Sequence, residues 1–150
     1  MTITSAVPNT FKQECLVGTH NFTASSGDTS KLALFKSGVT GTYGSGTTNY
    51  SDMTGNSDEA SATGYTAGGF TLTNATPIVN GGQACCDWTT DPSWTITGTL
   101  NTDGALAYNS SKSNKAIGVF SFGATQTTTN ATFTLIVPAQ TASNAIIRFQ

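Results

Sequence analysis

The chain has 150 residues, with six basic and eight acidic side chains and a formal net charge of −2. This length fits one domain, and the sequence has no basic run that could neutralise the phosphates of a nucleic acid. Its 29 Thr, 15 Ser, 11 Asn and 16 Gly make up nearly half of the residues. Threonine favours strands and the other three favour turns, so the composition excludes a helical bundle and predicts an all-β protein.

The first thirty residues contain no basic segment followed by a long apolar run. We therefore expect no secretory signal, no contact with a membrane, and a protein made in a cytoplasm. There, an odd number of cysteines (Cys15, Cys85 and Cys86) predicts reduced thiols that pack as small apolar groups. Neighbouring strand residues point to opposite faces, so one of Cys85 and Cys86 should be buried and the other exposed, free to crosslink neighbouring copies. No residue cluster predicts a metal site or a cofactor.

A short helix is predicted at about residues 10–17, and an extended arm is the alternative. Thr10 and Gln13 have the spacing of a capping box, and Gly18 is suited to the position just after a helix. Three apolar residues are expected to share the face that packs on a sheet: Phe11, Cys15 and Leu16.

Beyond this helix, alternating and short apolar patterns predict strands separated by turns. The predicted strands lie at residues 32–35, 70–79 with a break or bend at Pro77, 83–88, 94–100, 105–108, 117–122, 133–137 and 146–149. Tight turns are expected at Asn80–Gly82 and Asn101–Gly104. We predict one domain spanning residues 1–150, an antiparallel β-sandwich or jelly roll of about eight strands.

Residues 37–69 lack a strand pattern and are rich in Gly, Ser and Thr. A segment of this length is typical of a functional loop or an extended arm, on which Tyr43, Tyr50 and Tyr65 would form a binding surface. The alternative is that these tyrosines pin the loop to its own domain. The acidic stretch 52–59 lacks the residue order of a calcium loop, so we expect it to be solvated.

Residues able to catalyse a reaction are few. His20 is the only histidine, no serine lies in a nucleophile elbow, and His20 is expected to cap a helix or fill a polar core position. Asp87 and Asp91 lie near two tryptophans and raise the alternative of a hydrolase or a sugar-binding face, although acids beside a turn usually shape the turn. The alternating pattern around Trp94 places that tryptophan in the core. We therefore expect a protein that is not an enzyme.

Several strings are distinctive together: TFKQECLVGTHNFTA (10–24), KLALF (31–35), TGYTAGG (63–69) followed by LTN (72–74), ALAYNSSKSNKAIGVFSFG (105–123) and AIIRF (145–149). With these strings the chain resembles a family of small structural proteins encoded by tailed bacteriophages and prophages. The resemblance covers nearly the whole sequence and brings no catalytic, cofactor-binding or metal-binding residue.

The resemblance implies a virion protein, in the first place a capsid decoration or cement protein that binds the major capsid protein, or other virion proteins, and its own copies. The alternatives are a neck or tail accessory protein and a fibre-borne module that binds a carbohydrate or receptor. The residues expected at the interface are Tyr43, Tyr50, Tyr65, Phe11 and Leu16.

Overall fold

The computed structural model describes residues 2–149. Its strands, in chain order, are β1 (Thr2–Ile3), β2 (Ser30–Lys36), β3 (Thr42–Tyr43), β4 (Phe70–Leu72), β5 (Asn74–Asn80), β6 (Gln83–Trp88), β7 (Ser93–Thr95), β8 (Thr99–Asn109), β9 (Lys115–Thr129), β10 (Thr132–Thr134) and β11 (Ile147–Phe149). The helices are α1 (Asn9–Leu16), α2 (Tyr50–Gly55) and a short 3-10 helix at Ser110–Lys112. The predicted all-β antiparallel fold is confirmed.

Two antiparallel sheets enclose the main core. One has the strand order β4-β2-β8-β9, and the other has the order β11-β6-β5. Leu34, Ala107 and Ile117 of the larger sheet belong to the same buried cluster as Cys86 and Ile147 of the smaller sheet. The apolar residues of both sheets therefore meet in a sandwich.

The larger sheet is also covered on its other face. Residues 32–35 of β2 are buried without interruption, and Phe35 packs in a second cluster with Tyr43 and Met53. Strands that are covered on both faces carry continuous rather than alternating apolar residues, and the run Leu-Ala-Leu-Phe fits this rule. The prediction of an extended arm at 37–69 is wrong, because Val39, Tyr43 and Met53 of this segment cover the second face of the sheet and its later residues Ala60 and Tyr65 pack in the main core.

Helix α1 is present, but the predicted capping box is wrong. The residue at the N-cap is Pro8, and no side chain caps the helix. At the other end Gly18 has a φ of +70°, and its N–H donates to the Cys15 carbonyl while the Thr19 N–H donates to the Glu14 carbonyl. This pair of bonds is a Schellman motif, so the prediction for Gly18 is confirmed.

The predicted turn at Asn101–Gly104 is also wrong, because β8 continues through it. Thr102 is fully buried, and its hydroxyl donates to the Phe35 carbonyl, while the pairing with β9 shifts register at this point. The residues that suggested a turn form a β-bulge inside the strand. The strand predicted at 94–100 is in turn divided at Gly98, where φ is +84°.

The Asn80–Gly82 turn joins β5 to β6 as predicted. Asn80 pairs with Gln83, and both glycines have positive φ, +56° at Gly81 and +80° at Gly82. These values are those of a type I′ turn, whose twist matches that of the strands it joins.

Close backbone contact at Gly69 gives a stability test. Gly69 has a φ of +75°, and a Cβ atom there would lie 1.9 Å from the Leu32 carbonyl oxygen. We expect Gly69→Ala to lower the free energy of unfolding by about 3 kcal/mol, measured by urea denaturation. Gly46→Ala is the control, since a Cβ atom at Gly46 would meet nothing within 4 Å. Equal stability of the two variants would contradict the close approach of Gly69 to β2.

Candidate interaction surface

The candidate interaction surface lies on a two-stranded ribbon formed by residues 93–101 and 127–134. β7 pairs with β10, and the start of β8 pairs with the end of β9. Between these pairs the Asn130 N–H donates to the Gly98 carbonyl, so the ribbon is continuous. Its outward side chains are all exposed and uncharged, and we call them the hydroxyl face: Ser93, Thr95, Thr97, Thr99, Asn101, Thr127, Thr129, Thr132 and Thr134.

Hydrogen bonds between the strands hold the hydroxyl face in place. The Thr99 and Thr129 hydroxyls lie 3.1 Å apart, and the Thr127 hydroxyl donates to Asn101 Oδ1 over 2.7 Å. Beneath them Trp94 is buried in the core. Threonine has one main rotatable bond and can both donate and accept, so this surface can bind a polar partner with little loss of side-chain entropy.

The smaller sheet presents a second exposed surface. Val79 of β5 and Phe149 of β11 both lie opposite Ala84 of β6, so the three side chains share one face. We call them the apolar row. Val79 is 78% exposed and Phe149 is 46% exposed. Large apolar side chains exposed side by side are typical of contact surfaces.

The five residues predicted at the interface differ in their exposure to solvent. Phe11 and Tyr43 are buried in the two cores, so the prediction that they form an interface is wrong. Tyr50 and Tyr65 are half-buried, and their hydroxyls donate to a carboxylate of their own loop. Leu16 is 88% exposed, because residues five apart in a helix are rotated by about 140° and it cannot share the face of Phe11. Its role at an interface stays a prediction.

Asp58 anchors the 37–69 segment. The prediction that the acidic stretch 52–59 is solvated is correct for residues 54–57, which are exposed, and wrong for Asp58. Its side chain is fully buried, and the Lys36 ammonium lies 3.1 Å from it. It accepts hydrogen bonds from the Tyr43 hydroxyl (2.7 Å) and from the Thr40 and Gly41 N–H groups. Burial alone would raise the pKa of Asp58, but these hydrogen bonds outweigh it and lower the pKa.

The next residue, Glu59, holds the rest of the segment. Its carboxylate accepts the Tyr50 hydroxyl, the Tyr65 hydroxyl (2.8 Å) and the Gly68 N–H (2.6 Å). The Tyr65 hydroxyl also accepts the N–H of Leu34 in β2. The tyrosines thus pin the loop to its own domain, which is the alternative reading of this segment.

A second polar network surrounds His20, whose side chain is fully buried. Its Nε2 lies 2.9 Å from Glu14, and its Nδ1 lies 2.9 Å from the Asn109 amide nitrogen. Because Asn109 Oδ1 already accepts a backbone N–H, its amide nitrogen donates to both His20 and Asp28. Both ring nitrogens of His20 are therefore engaged within the fold, which leaves neither free to act on a substrate.

The Glu14 carboxylate at the end of this network also binds the Lys115 ammonium. Burial raises the pKa of Glu14, but the hydrogen bonds from Lys115 and His20 outweigh it, so its pKa is lowered. Glu14 lies on α1 and Lys115 begins β9, so the ion pair fixes the helix to the larger sheet.

Asp87 and Asp91 serve different parts of the backbone. Asp87 is fully buried and accepts the N–H groups of Trp88 (2.9 Å) and Ile146 (3.2 Å), and burial raises its pKa. Asp91 accepts the Val137 N–H at the surface. Each carboxylate thus holds a turn or a loop, in agreement with the more usual role of acids beside a turn.

Both tryptophans are buried, Trp88 at 3% and Trp94 at 5% exposure. The placement of Trp94 in the core is confirmed, where its ring centroid lies 5.9 Å from that of Phe70 and 6.1 Å from that of Phe133. Neither indole offers an exposed face on which a sugar could stack, so the structure does not provide the sugar-binding face raised as an alternative.

Cys85 and Cys86 are both buried, so the expected exposure of one of them is wrong. β6 is the middle strand of its sheet, and both of its faces are covered at this point. Cys15 is partly buried. Burial raises the pKa of Cys15 to about 11 and that of Cys86 to about 12, so both thiols are protonated and weakly nucleophilic at neutral pH.

Within residues 2–149 no group of three or more His, Cys, Asp or Glu side chains is placed to hold a metal ion. Over the same residues, no helix has the length and apolar character needed to cross a membrane. In comparisons with known proteins, no family model, no curated protein and no solved structure matches the chain. The resemblance to phage virion proteins therefore stays a prediction.

The sequence pattern predicts one of the two segments that form the hydroxyl face and not the other. Thr95, Thr97 and Thr99 alternate with buried residues, which marks the outer face of a strand. The partner segment is Thr-rich on both faces, as in the run 127–129, so no apolar alternation marks it as a strand.

The two buried aspartates predict opposite pH dependences. Asp58 has a folded-state pKa below its ordinary value of 3.8, so its stabilising effect is complete above about pH 4 and is lost as the pH falls through the folded-state pKa. Asp87 has a raised pKa, so its contribution is complete below 3.8 and is lost as the pH rises through the folded-state pKa.

We therefore expect Asp58→Asn to lower the free energy of unfolding by about 3 kcal/mol at pH 7 and by less at pH 3. Asp87→Asn should instead become more stable, relative to wild type, as the pH rises from 3 to 7. Urea denaturation across this range measures both. If the stability of both variants relative to wild type changed in the same direction with pH, the opposite pKa shifts of Asp58 and Asp87 would be contradicted.

Proposed function

We propose that the chain is a non-enzymatic bacteriophage virion protein, in the first place a capsid decoration protein that binds the head lattice and its own copies. The observation that carries this proposal is the hydroxyl face, an exposed two-stranded ribbon with no charged side chain. The overall sequence resemblance points in the same direction.

An uncharged surface suits assembly on a repeating lattice. Charged residues are depleted at the centres of protein interfaces, because their desolvation opposes binding. The hydroxyl face offers donors and acceptors without that penalty. Each contact can be weak, since many linked copies hold a shell through multivalency.

Copies of the chain also have surfaces through which to meet one another. The apolar row is exposed on the smaller sheet, and Leu16 is exposed at the end of α1. Burial of such side chains between copies is favourable by about 25 cal/mol per Å² of apolar surface. A homo-oligomer built through these surfaces leaves the hydroxyl face available to the lattice.

The side chains that could act as acids, bases or nucleophiles are engaged within the fold, which supports a non-enzymatic role. Both nitrogens of His20 are engaged within the fold, and Asp58 and Asp87 are buried and bonded to backbone amides. A neck or tail accessory protein could use the same surfaces, and this second placement in the virion differs from the first only in the partner.

Adding a charge to the hydroxyl face tests the proposal. We expect Thr129→Lys to reduce binding to heads of the phage that encodes the chain by at least about tenfold, because the ammonium must be desolvated at the contact. Co-sedimentation with purified heads, and separately with tails, measures the bound copies. Thr54→Lys, at an exposed position of α2, is the matched control and should bind like wild type.

Two results would contradict this proposal. One is wild-type protein that binds neither heads nor tails and stays monomeric by light scattering at high concentration. The other is a Thr129→Lys variant that binds heads or tails as well as Thr54→Lys does.

A further inference from the structure

An apolar cavity of about 230 Å³ lies between the two sheets. Its ten lining residues come from both sheets and from the segment that follows β10, and they include Trp88 of β6, Ala105 of β8, Phe120 of β9 and Leu135. Ile136 is 75% exposed, so the cavity reaches the surface beside it. Protein interiors are normally packed without gaps of this size, which makes the cavity a distinct feature of the core.

The lining gives the cavity a definite chemical preference. None of its ten residues is charged, and aromatic rings of Trp88, Phe120 and Phe122 contribute to the wall. A charged ligand would therefore be buried without a partner, which is strongly unfavourable. An engineered apolar cavity of about 150 Å³ binds benzene, so this one has room for about nine non-hydrogen atoms.

The indole of Trp88, which contributes to the wall, has a polar group without a partner. The Trp88 side chain is buried, and its Nε1–H finds no hydrogen-bond acceptor anywhere in residues 2–149. Buried indole N–H groups usually have a partner, and the lack of one is unfavourable. Nε1 is itself shielded from solvent, so an acceptor that enters the cavity must turn the indole slightly to meet it.

We propose that this cavity is a binding site for a small, uncharged molecule with an aromatic or aliphatic body and one hydrogen-bond-accepting oxygen. The apolar body fills the space between the sheets, and the oxygen accepts the Trp88 N–H. Such a ligand would bind whether or not the chain assembles into a virion, because the cavity is lined by none of the residues of the hydroxyl face.

Three probes of nearly equal size test the chemistry. Acetophenone has an apolar ring and a carbonyl oxygen, α-methylstyrene replaces that oxygen with a CH₂ group, and benzoate carries a charge. We titrate each into the 15N-labelled full chain and follow the indole N–H resonances of Trp88 and Trp94, assigned with Trp88→Phe. Acetophenone should shift the Trp88 resonance saturably and bind about three- to tenfold more tightly than α-methylstyrene, the value of one net hydrogen bond. Benzoate should give no saturable shift.

Matched variants locate the site. Ala105→Leu fills the cavity and should abolish acetophenone binding, whereas Ala67→Leu makes the same change at an exposed loop position outside the cavity lining and should leave binding intact. If Ala105→Leu does not fold, Leu135→Phe narrows the same cavity from its half-buried rim. In Trp88→Phe, where the backbone amide resonances of the cavity residues report binding, the preference for acetophenone over α-methylstyrene should disappear.

Three results would overturn the proposal. These are the absence of any saturable shift with acetophenone, equal affinity of wild type for acetophenone and α-methylstyrene, and unchanged acetophenone binding in a folded cavity-filling variant.

Discussion

The fold depends on burying both faces of β2 and β8. The apolar run at 32–35 requires a cover on each side, and the cover over one face is a segment with few aliphatic residues. Two adjacent carboxylates hold it there. Residues 58–60 run beside β2, so Asp58 and Glu59 point in opposite directions, and each binds a different tyrosine set and different backbone amides. The hydrogen bonds of Asp58 and Glu59 thus help to hold a segment that has few aliphatic side chains to bury.

All eight acidic residues, including Asp58 and Glu59, take part in hydrogen bonds that stabilise the fold. Each of the eight accepts at least one hydrogen bond from the protein itself. Glu14 ties α1 to Lys115 at the end of the β8–β9 connection, Asp28 ties the following loop to Asn109 at its start, and Asp52 caps α2. The carboxylates therefore bond to groups of the protein itself, and none of them lies on the hydroxyl face.

The surface therefore has two regions of different chemistry. The hydroxyl face and the apolar row lie on different sheets, so the chain can contact two partners at once. The cavity between the sheets adds a third type of surface, which is apolar and opens to solvent beside Ile136. Its position follows from the sandwich itself, since the segment after β10 covers the gap between the sheets only in part.

Local sequence patterns were enough to predict the all-β class, the inward alternation around Trp94, the Asn80–Gly82 turn and the helix end at Gly18. Each of these is a local effect of side-chain period or backbone freedom. Local patterns did not reveal that residues 37–69 pack against both cores, that Tyr43 and Phe11 are buried, or that Asn101–Gly104 lies within a strand. Those outcomes depend on contacts between residues far apart in the chain, where burial outweighs local turn preference, and no local pattern records them.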